Sequence, residues 1–386
     1  MRKMRIFTIM LAILLMITGC ATATPPTSAT APPTEAAPPA SPWAAAEQAA
    51  PDTPIVIVDM FGREVTLPAN IETIAAAGQS ARILTYAGVA DMIVGVTEMD
   101  KHNDPHMPYT VVNAERFAGL AVIGSGGAGG GTTFVEELVV LAPDVIIGTF
   151  DQTELDNIAA QTGIPTIGIM MDGMFDQTFF DALELVGKVA GRTERSAYII
   201  GLIQNWRDDL YQRTRDIPDA ERPTVYAAAV SFRGPHGITG TFGDYAPFEA
   251  IGARNVVGEE GITGFANIDI EQIAVWDPDI IFLNVANVNI VEEEFAGNRA
   301  FFEGLSAVRN GRIYPQLPFN FNGNNQEIAI ANTFYAATIM FPEQFADIDP
   351  IAKADEIFTV MLGEPFYDRL AEIGFVFERM TIGGTA

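Results

Sequence analysis

The pattern that most constrains the fold of this 386-residue chain occurs twice, in residues 135–147 and 270–282. Each copy has a Glu near a helix start, apolar residues at helical spacing, then Pro-Asp and a short apolar run. Proline disfavours helical geometry in the preceding residue, so Pro-Asp should end the helix. The apolar run is typical of a buried parallel strand. Each copy is therefore the helix–turn–strand half of an α/β crossover, and the repeat predicts two related lobes.

The charge and the cysteine count exclude several classes of partner and site. The formal net charge is −27, from 49 acidic and 22 basic residues. Such a balance argues against nucleic acid and against an anionic membrane surface as partners. The chain has one cysteine, which excludes a disulfide framework and a cysteine-rich metal site.

The start of the chain predicts export and tethering. Residues 1–19 begin with basic residues and continue as an apolar run that is short for a membrane span. They end in Ile-Thr-Gly before Cys20, which looks like a bacterial lipoprotein signal box, where the leader is cut and the cysteine thiol carries lipid. An ordinary secretory leader with an incidental cysteine is the alternative. Residues 20–54 are rich in Ala, Thr and Pro, and we expect a disordered tether.

From residue 55 onward, strand and helix signals alternate, which predicts mainly parallel sheets covered by helices. We expect an N-terminal α/β lobe at 55–192, opened by a hairpin, and a C-terminal α/β lobe at 219–386. Residues 193–218 lie between them and contain a long helical stretch. About 22 helical residues would extend roughly 33 Å. Its apolar stripe consists of Ile199, Ile203, Trp206 and Leu210.

Several segments occur in a specific order: 59–65, the twin Glu…Pro-Asp units, 252–257 and 308–314. Together with the leader, the lobes and the long helix, they resemble the substrate-binding proteins of bacterial ABC importers for ferric siderophores, haem and vitamin B12. The resemblance covers about residues 55–375. It implies two lobes held by one rigid helix, with the ligand in the cleft between them and no catalysis.

The repeated glutamates, Glu136 and Glu271, are candidate docking residues. The resemblance implies that they pair, one in each lobe, with arginines on the importer's permease. A local alternative exists for each, because acidic residues favour the first turn of any helix. Thr133 and Glu136 also have the spacing of a capping box.

The glycine run Gly124–Gly131 matches the pattern Gly-x-Gly-x-x-Gly of a dinucleotide-binding loop. It is the main sequence support for an alternative of another class, an exported α/β enzyme. The simpler interpretation is a loose, flexible loop at the cleft rim.

Two histidines, His102 and His106, are spaced four residues apart, as in a helical metal-binding pair. Pro105 lies between them and disfavours a regular helix there. A receptor for bare zinc or manganese is therefore kept as an alternative within the binding class.

Ligand-binding candidates follow from position, since ligands in open α/β sheets lie outside the carboxyl ends of the strands. Arg82 and Arg233 follow the first strands of the two lobes, so we expect them to face each other and bridge an anionic chelate. The residues selected in this way are Gln79, Ser80, Arg82, Phe150, Asp151, Phe232, Arg233, Asn284 and Asn320.

The sequence thus predicts a monomeric, lipid-anchored extracytoplasmic binding protein. It would deliver an iron chelate (a siderophore complex or haem) or a corrinoid to an ABC importer permease. We expect no cofactor beyond this ligand and no enzymatic activity.

Overall fold

The first lobe contains a five-stranded parallel sheet preceded by an antiparallel hairpin. The computed structural model describes residues 54–127, 130–171 and 173–383, so Cys20 and the predicted leader lie outside the described residues. The strands of this lobe are β1 (Ile55–Val58), β2 (Glu64–Leu67), β3 (Ile74–Ala77), β4 (Ile93–Thr97), β5 (Ala121–Gly124), β6 (Val145–Gly148) and β7 (Thr166–Gly168). The sheet order is β5-β4-β3-β6-β7, and β1 pairs with β2.

The helices of this lobe cover the sheet, whose β3 and β6 are buried along their whole length. Full burial explains why these strands are apolar at every position rather than at alternate ones. The helices are α1 (Ala81–Tyr86), α2 (Pro108–Val112), α3 (Ala114–Ala118), α4 (Val135–Leu141), α5 (Gln152–Thr162) and α6 (Gln177–Val189).

One helix, α7 (Thr193–Thr214), separates the two lobes in the chain. Its buried stripe contains all four predicted apolar residues. It also binds residues near the end of the chain. The Arg195 guanidinium donates to the carbonyl of Val360 at 2.6 Å, and the Trp206 indole N–H donates to Glu356 at 3.1 Å.

The second lobe contains a four-stranded parallel sheet and a two-stranded antiparallel ribbon. Its strands are β8 (Thr224–Ala228), β9 (Gly240–Phe242), β10 (Arg254–Asn255), β11 (Phe265–Asn267), β12 (Ile280–Asn284) and β13 (Ile313–Gln316). The parallel order is β10-β8-β12-β13, and β11 pairs with β9. Its helices are α8 (Ala246–Glu249), α9 (Val256–Glu259), α10 (Ile270–Trp276), α11 (Val288–Gly297), α12 (Arg299–Gly304), α13 (Ser306–Arg309), α14 (Gln326–Met340), α15 (Pro350–Leu362) and α16 (Tyr367–Glu372).

Strand β10 is only two residues long. It ends at Asn255, whose side-chain oxygen accepts a hydrogen bond from the Val257 N–H at 3.2 Å. Asn255 is thus the N-cap of α9, and Asn at this position favours the turn into a helix over continued strand. None of the helices in the described part of the chain is long and apolar enough to cross a membrane.

The largest apolar core runs through both lobes. It contains Ile83 of α1, Ile203 of α7, Phe334 of α14 and Phe358 of α15. The C-terminal helices therefore pack against the first lobe as well as the second, and the described residues from 54 onward belong to one compact unit. The predicted boundaries at residues 192 and 218 follow the order of helices and strands along the chain. As limits of domains they stay predictions.

The two repeat helices, α4 and α10, end by a geometry that the sequence did not predict. The residue before each proline, Ala142 or Asp277, has a left-handed conformation with φ of 46° or 41°. Its N–H bonds to the carbonyl of Leu138 or Ile273, as in a left-handed helix C-cap. The Pro-Asp pairs do follow the helix ends, but the preceding residue is not extended.

Candidate functional site

Loops that follow strands of both sheets meet at the carboxyl ends of those strands. In the first lobe, the Gln79 side-chain amide donates to the carbonyl of Gly127 at 3.1 Å. Between the lobes, the Gly127 N–H donates to the side-chain oxygen of Asn322 at 3.2 Å. In the second lobe, the Asn320 amide donates to the carbonyl of Ser231. These contacts define an inter-lobe cleft, where ligands of open α/β sheets are expected.

Arg82 lies beside these contacts and binds the second lobe directly. Its guanidinium donates to Asn325 at 2.9 Å and to the carbonyl of Asn322 at 2.6 Å, and it lies 4.8 Å from the ring centre of Tyr109. The side chain is buried. The sequence predicted that Arg82 and Arg233 would face each other across an open cleft. The geometry favours a brace between the lobes for Arg82, because its Nε and one terminal nitrogen already donate to the second lobe.

Two buried carboxyl groups accompany Arg82. Glu327 accepts a hydrogen bond from the Tyr86 hydroxyl, and Asp100 accepts one from the Tyr109 hydroxyl at 2.7 Å. Burial raises the pKa of both acids, although the hydroxyl donors and the Arg82 charge oppose the rise. Within the described residues, the second carboxyl oxygen of Glu327 is buried without a hydrogen-bond partner. Ionising Glu327 is therefore costly.

An aromatic surface lies at the carboxyl end of β8, in the loop that contains Ser231. It consists of Phe232, Phe242, Phe265 and His236. Phe232 stacks on Phe265 with 4.9 Å between ring centres, and Phe242 packs edge-on against both rings. The His236 ring lies 4.5 Å from Phe265. The ribbon formed by β9 and β11 supplies two of these rings, Phe242 and Phe265. The aromatic surface therefore combines the loop after β8 with this ribbon.

This surface also carries a cation. Phe232 is 40% exposed, and the exposed Arg233 guanidinium lies 5.3 Å from its ring centre. Arg233 has φ of 55°, a left-handed conformation that non-glycine residues seldom adopt. Strained residues of this kind cluster at functional sites. Among the described residues, no hydrogen bond or ion pair holds the Arg233 guanidinium, and an apolar ring beside such a group can contact a ligand that is both planar and anionic.

Three other predicted ligand residues have local hydrogen bonds. Ser80 is buried and its hydroxyl donates to the carbonyl of Ile147 at 2.8 Å, so its side chain makes no capping hydrogen bond to α1. Asn284 and Asp151 each accept a hydrogen bond from a backbone N–H two or three residues later. A role for these residues in binding the ligand stays a prediction.

The glycine run at residues 124–131 packs closely against its surroundings where it is described, and its interpretation as a flexible loop stays a prediction. Gly130 and Gly131 have φ of 87° and 71°. A Cβ on Gly130 would lie 2.6 Å from the ring of Phe150, and one on Gly131 would lie 2.1 Å from the carbonyl oxygen of Gly126. Phe150, a predicted ligand residue, is buried against this loop.

The same loop lacks the geometry of a dinucleotide site. In such a site the glycine loop opens directly into a helix, whose N-terminus binds the pyrophosphate. Here an antiparallel bridge joins Gly124 to Thr133, and α4 begins only at Val135. The structure therefore disfavours the nucleotide-binding alternative.

His102 and His106 lie in an irregular segment, as Pro105 predicted. The His106 ring nitrogen lies 2.7 Å from the Asp104 carboxylate, and its ring lies 5.3 Å from that of Phe321. No group of three His, Cys, Asp or Glu residues that could hold a metal is found among residues 54–127, 130–171 and 173–383.

An open surface pocket of about 680 Å³ lies elsewhere, between Asp219 and Glu259. Arg254 lines it, and Arg254 pairs with Thr224 at the amino end of β8. Ligands of open α/β sheets bind at the carboxyl ends of the strands. The position of this pocket therefore does not suit the main ligand.

Glu136 and Glu271 are exposed in the first turns of α4 and α10. Over the described residues, neither carboxylate has a hydrogen bond or ion pair. The N-cap of α4 is Phe134 and makes no side-chain cap, so the alternative of a Thr133 capping box is wrong. Both glutamates are therefore free to bind a partner.

Both repeat helices begin on the cleft side of their lobes. The N–H of Phe134 donates to the carbonyl of Ile123, near the carboxyl end of β5. The N–H of Ile268 donates to the carbonyl of Thr239. The next residue, Gly240, accepts a hydrogen bond from the N–H of Val230, which lies just beyond the carboxyl end of β8. The docking candidates thus lie at the end of each lobe that also carries the cleft.

Two parallel-sheet lobes, one connecting helix and an inter-lobe cleft together define a two-lobed solute-binding protein. The family described as periplasmic binding protein matches residues 74–316, and the chain belongs to it. Proteins of this family work with ABC transporter permeases and bind solutes rather than transform them. No curated protein matches the chain significantly.

Solved structures have the same fold at low identity. A periplasmic solute binding protein from Veillonella parvula DSM 2008 has 18% identity and a TM-score of 0.68, over 84% of this chain and 97% of that one. The Haemophilus influenzae molybdate-binding protein MolA has 19% identity and a TM-score of 0.62, over 81% and 98%. The TroA-like protein FepB from Veillonella parvula has 24% identity and a TM-score of 0.60, over 81% and 97%.

Sequence reasoning missed two rings of the aromatic surface, Phe242 and Phe265. They belong to three-residue strands, which are too short for an alternation signal. It also missed the two buried carboxyl groups near Arg82, Glu327 and Asp100. Glu327 follows β13 by eleven residues and its burial depends on packing between the lobes.

Proposed function

We propose that this protein binds an iron chelate (a ferric siderophore or haem) or a corrinoid in the inter-lobe cleft and delivers it to an ABC importer permease. Lipid on Cys20 would anchor the protein outside the cytoplasmic membrane, and residues 20–54 would act as a tether. The protein would act as a monomer, because one chain supplies both lobes of the cleft and both candidate docking glutamates.

The observation that supports this ligand class is the exposed aromatic and cationic surface at Phe232 and Arg233. A second exposed ring, Phe321, lies one residue beyond Asn320, which binds Ser231. The two rings therefore flank one contact between two loops of the second lobe. Planar or aromatic chelates suit such rings, and their anionic groups suit an unpaired guanidinium. A bare cation would gain little from either group.

The test is titration of the protein with ferric catecholate siderophores, haem and corrinoids, followed by tryptophan fluorescence and absorbance. We expect Arg233→Gln to weaken binding of the preferred ligand by about 1.5–3 kcal/mol, as for a charged hydrogen bond. Phe232→Ala should weaken it through lost ring contact. Matched controls at the C-terminal end of α7, Tyr211→Ala on the helix and Arg215→Gln at its C-cap, should bind normally, since both side chains are exposed outside the cleft.

Unchanged affinity in both cleft variants would remove this surface from the ligand site. If the protein binds free zinc tightly and His102→Ala or His106→Ala loses this binding, the ligand is a bare metal ion and the proposal of a chelate is wrong.

A further inference from the structure

The repeat helices each expose one valine a helical turn after their glutamate. Val140 follows Glu136 by four residues and is 82% exposed, and Val275 follows Glu271 by four residues and is 77% exposed. Residues four apart lie on the same face of a helix. Each lobe therefore presents a carboxylate and an apolar side chain next to each other on its outer surface.

Single exposed apolar residues are common on protein surfaces and need no explanation. This case differs because the arrangement is repeated position by position. Leu138 and Ile273 are buried at the position between the glutamate and the valine, while the neighbours Val139 and Ala274 differ in size. The same outward pair thus occurs in both lobes. A partner with two-fold symmetry offers the same surface twice and can bind both copies.

We propose that Val140 and Val275 are the apolar half of the permease-docking surface. Each would contact an apolar side chain beside the permease arginine that meets the neighbouring glutamate. This proposal rests on the docking role proposed for Glu136 and Glu271. Exposed ion pairs contribute mainly to specificity and encounter rate and weaken with salt. Burial of an apolar side chain contributes affinity that added salt does not screen.

The test compares Val140→Thr, Val275→Thr and the double variant. Threonine keeps the branched shape and has a similar helix propensity, so only the apolar character changes. The matched control is Val56→Thr, since Val56 of β1 is 62% exposed and lies outside both repeat helices. Each protein is bound to its cognate permease in nanodiscs at about 0.1 M and about 1 M NaCl, where the Debye length is ~10 and ~3 Å.

We expect each single variant to bind the permease about fivefold more weakly at both salt concentrations. The double variant should bind about 25-fold more weakly, because the sites are in different lobes and should be additive. Val56→Thr should match the wild type. Unfolding midpoints and ligand affinity in solution should be unchanged in all four proteins, which separates docking from folding.

Two results would overturn the proposal. One refutes only the apolar contact, and the other also refutes the docking role of the glutamates. If Glu136→Arg and Glu271→Arg abolish docking while the valine double variant binds like the wild type at both salts, the apolar contact is refuted and the glutamate role remains. If the glutamate variants also bind the permease normally, the docking surface itself is wrong and the proposed partner role fails with it.

Discussion

Asp144 and Asp279, which lie 135 residues apart, make three equivalent hydrogen bonds with a threonine in the two lobes. Asp144 accepts from the backbone and hydroxyl of Thr73 at 2.8 and 2.9 Å, and Asp279 accepts from those of Thr224 at 2.9 and 2.9 Å. Each aspartate N–H in turn donates to the threonine hydroxyl at 3.0 Å. Each pair thus joins the turn after a repeat helix to the start of the lobe's first parallel strand.

Replacing Asp144 should destabilise the first lobe. Asp144→Ala removes the acceptor of three hydrogen bonds, and we expect it to lower the free energy of unfolding by about 1–2 kcal/mol. Asp279→Ala is the matched variant in the second lobe and should behave similarly. Urea unfolding measures both. A change below about 0.3 kcal/mol in both variants would show that these bonds form without stabilising the fold.

The effect of Asp144 should depend on pH. Burial acts to raise the pKa of Asp144, but hydrogen bonds from Glu72 and Thr73 outweigh it and hold the pKa below its ordinary value. The stabilisation is therefore complete above the unfolded value of about 3.9 and is lost as pH falls through the lower folded value. The difference between wild type and Asp144→Ala should shrink only in that acidic range. A difference that stays constant down to pH 2 would contradict this account.

We expect replacement of Arg82 to lower the stability of the fold, and replacement of Arg233 to weaken ligand binding. Arg82→Met removes the hydrogen bonds to Asn325 and to the Asn322 carbonyl and leaves these acceptors unpaired, so we expect a loss of about 1–3 kcal/mol in unfolding free energy. Arg233→Gln should leave stability within about 0.5 kcal/mol, because its side chain is exposed. Chemical denaturation beside ligand titration distinguishes the two roles. If Arg82→Met has normal stability but binds ligand more weakly, Arg82 is a ligand-binding residue and not a brace between the lobes.

Glu327 should make the fold less stable as pH rises. Its pKa is raised by burial, so the unfolded chain loses this proton at lower pH than the folded protein does. Stability is therefore greatest below the unfolded value of about 4.3, and it declines as pH rises toward the folded pKa. Glu327→Gln should remove this part of the decline, so its unfolding free energy should gain on the wild type as pH rises. If the unfolding free energies of the wild type and Glu327→Gln change in parallel with pH, Glu327 does not cause the decline in stability.

Charge reversal at the docking candidates should impair uptake and spare ligand binding. Glu136→Arg or Glu271→Arg places like charges opposite the expected permease arginines, and the double variant should transport least. Transport into vesicles with the cognate permease is compared with ligand affinity in solution. Normal transport by the double variant would leave both residues without a docking role.

Cys20 is expected to carry the membrane anchor. Cys20→Ala should block lipid modification and release the protein from membranes, since more than one acyl chain is needed for stable anchoring. Membrane fractionation and intact mass measure this. A mature wild-type protein that starts at another residue and carries no lipid would exclude the lipoprotein interpretation.

Local sequence pattern determined the order of elements and the two related lobes. Helix periodicity located α7 and its stripe, and short apolar runs located the parallel strands, because both signals depend on near neighbours in the chain. The twin glutamates were also found in this way. Their repeated context requires no knowledge of which distant residues touch.

Packing between distant segments decided the rest. The sequence placed Arg82 and Arg233 alike, after the first strand of each lobe, yet one is buried in a network with Asn325 and the other is exposed on the aromatic surface. Their difference arises because α14 and its preceding loop close over α1 and leave the β8 loop open. Burial and charge pairing depend on segments more than 200 residues apart in the chain, and a local pattern carries no information about such contacts.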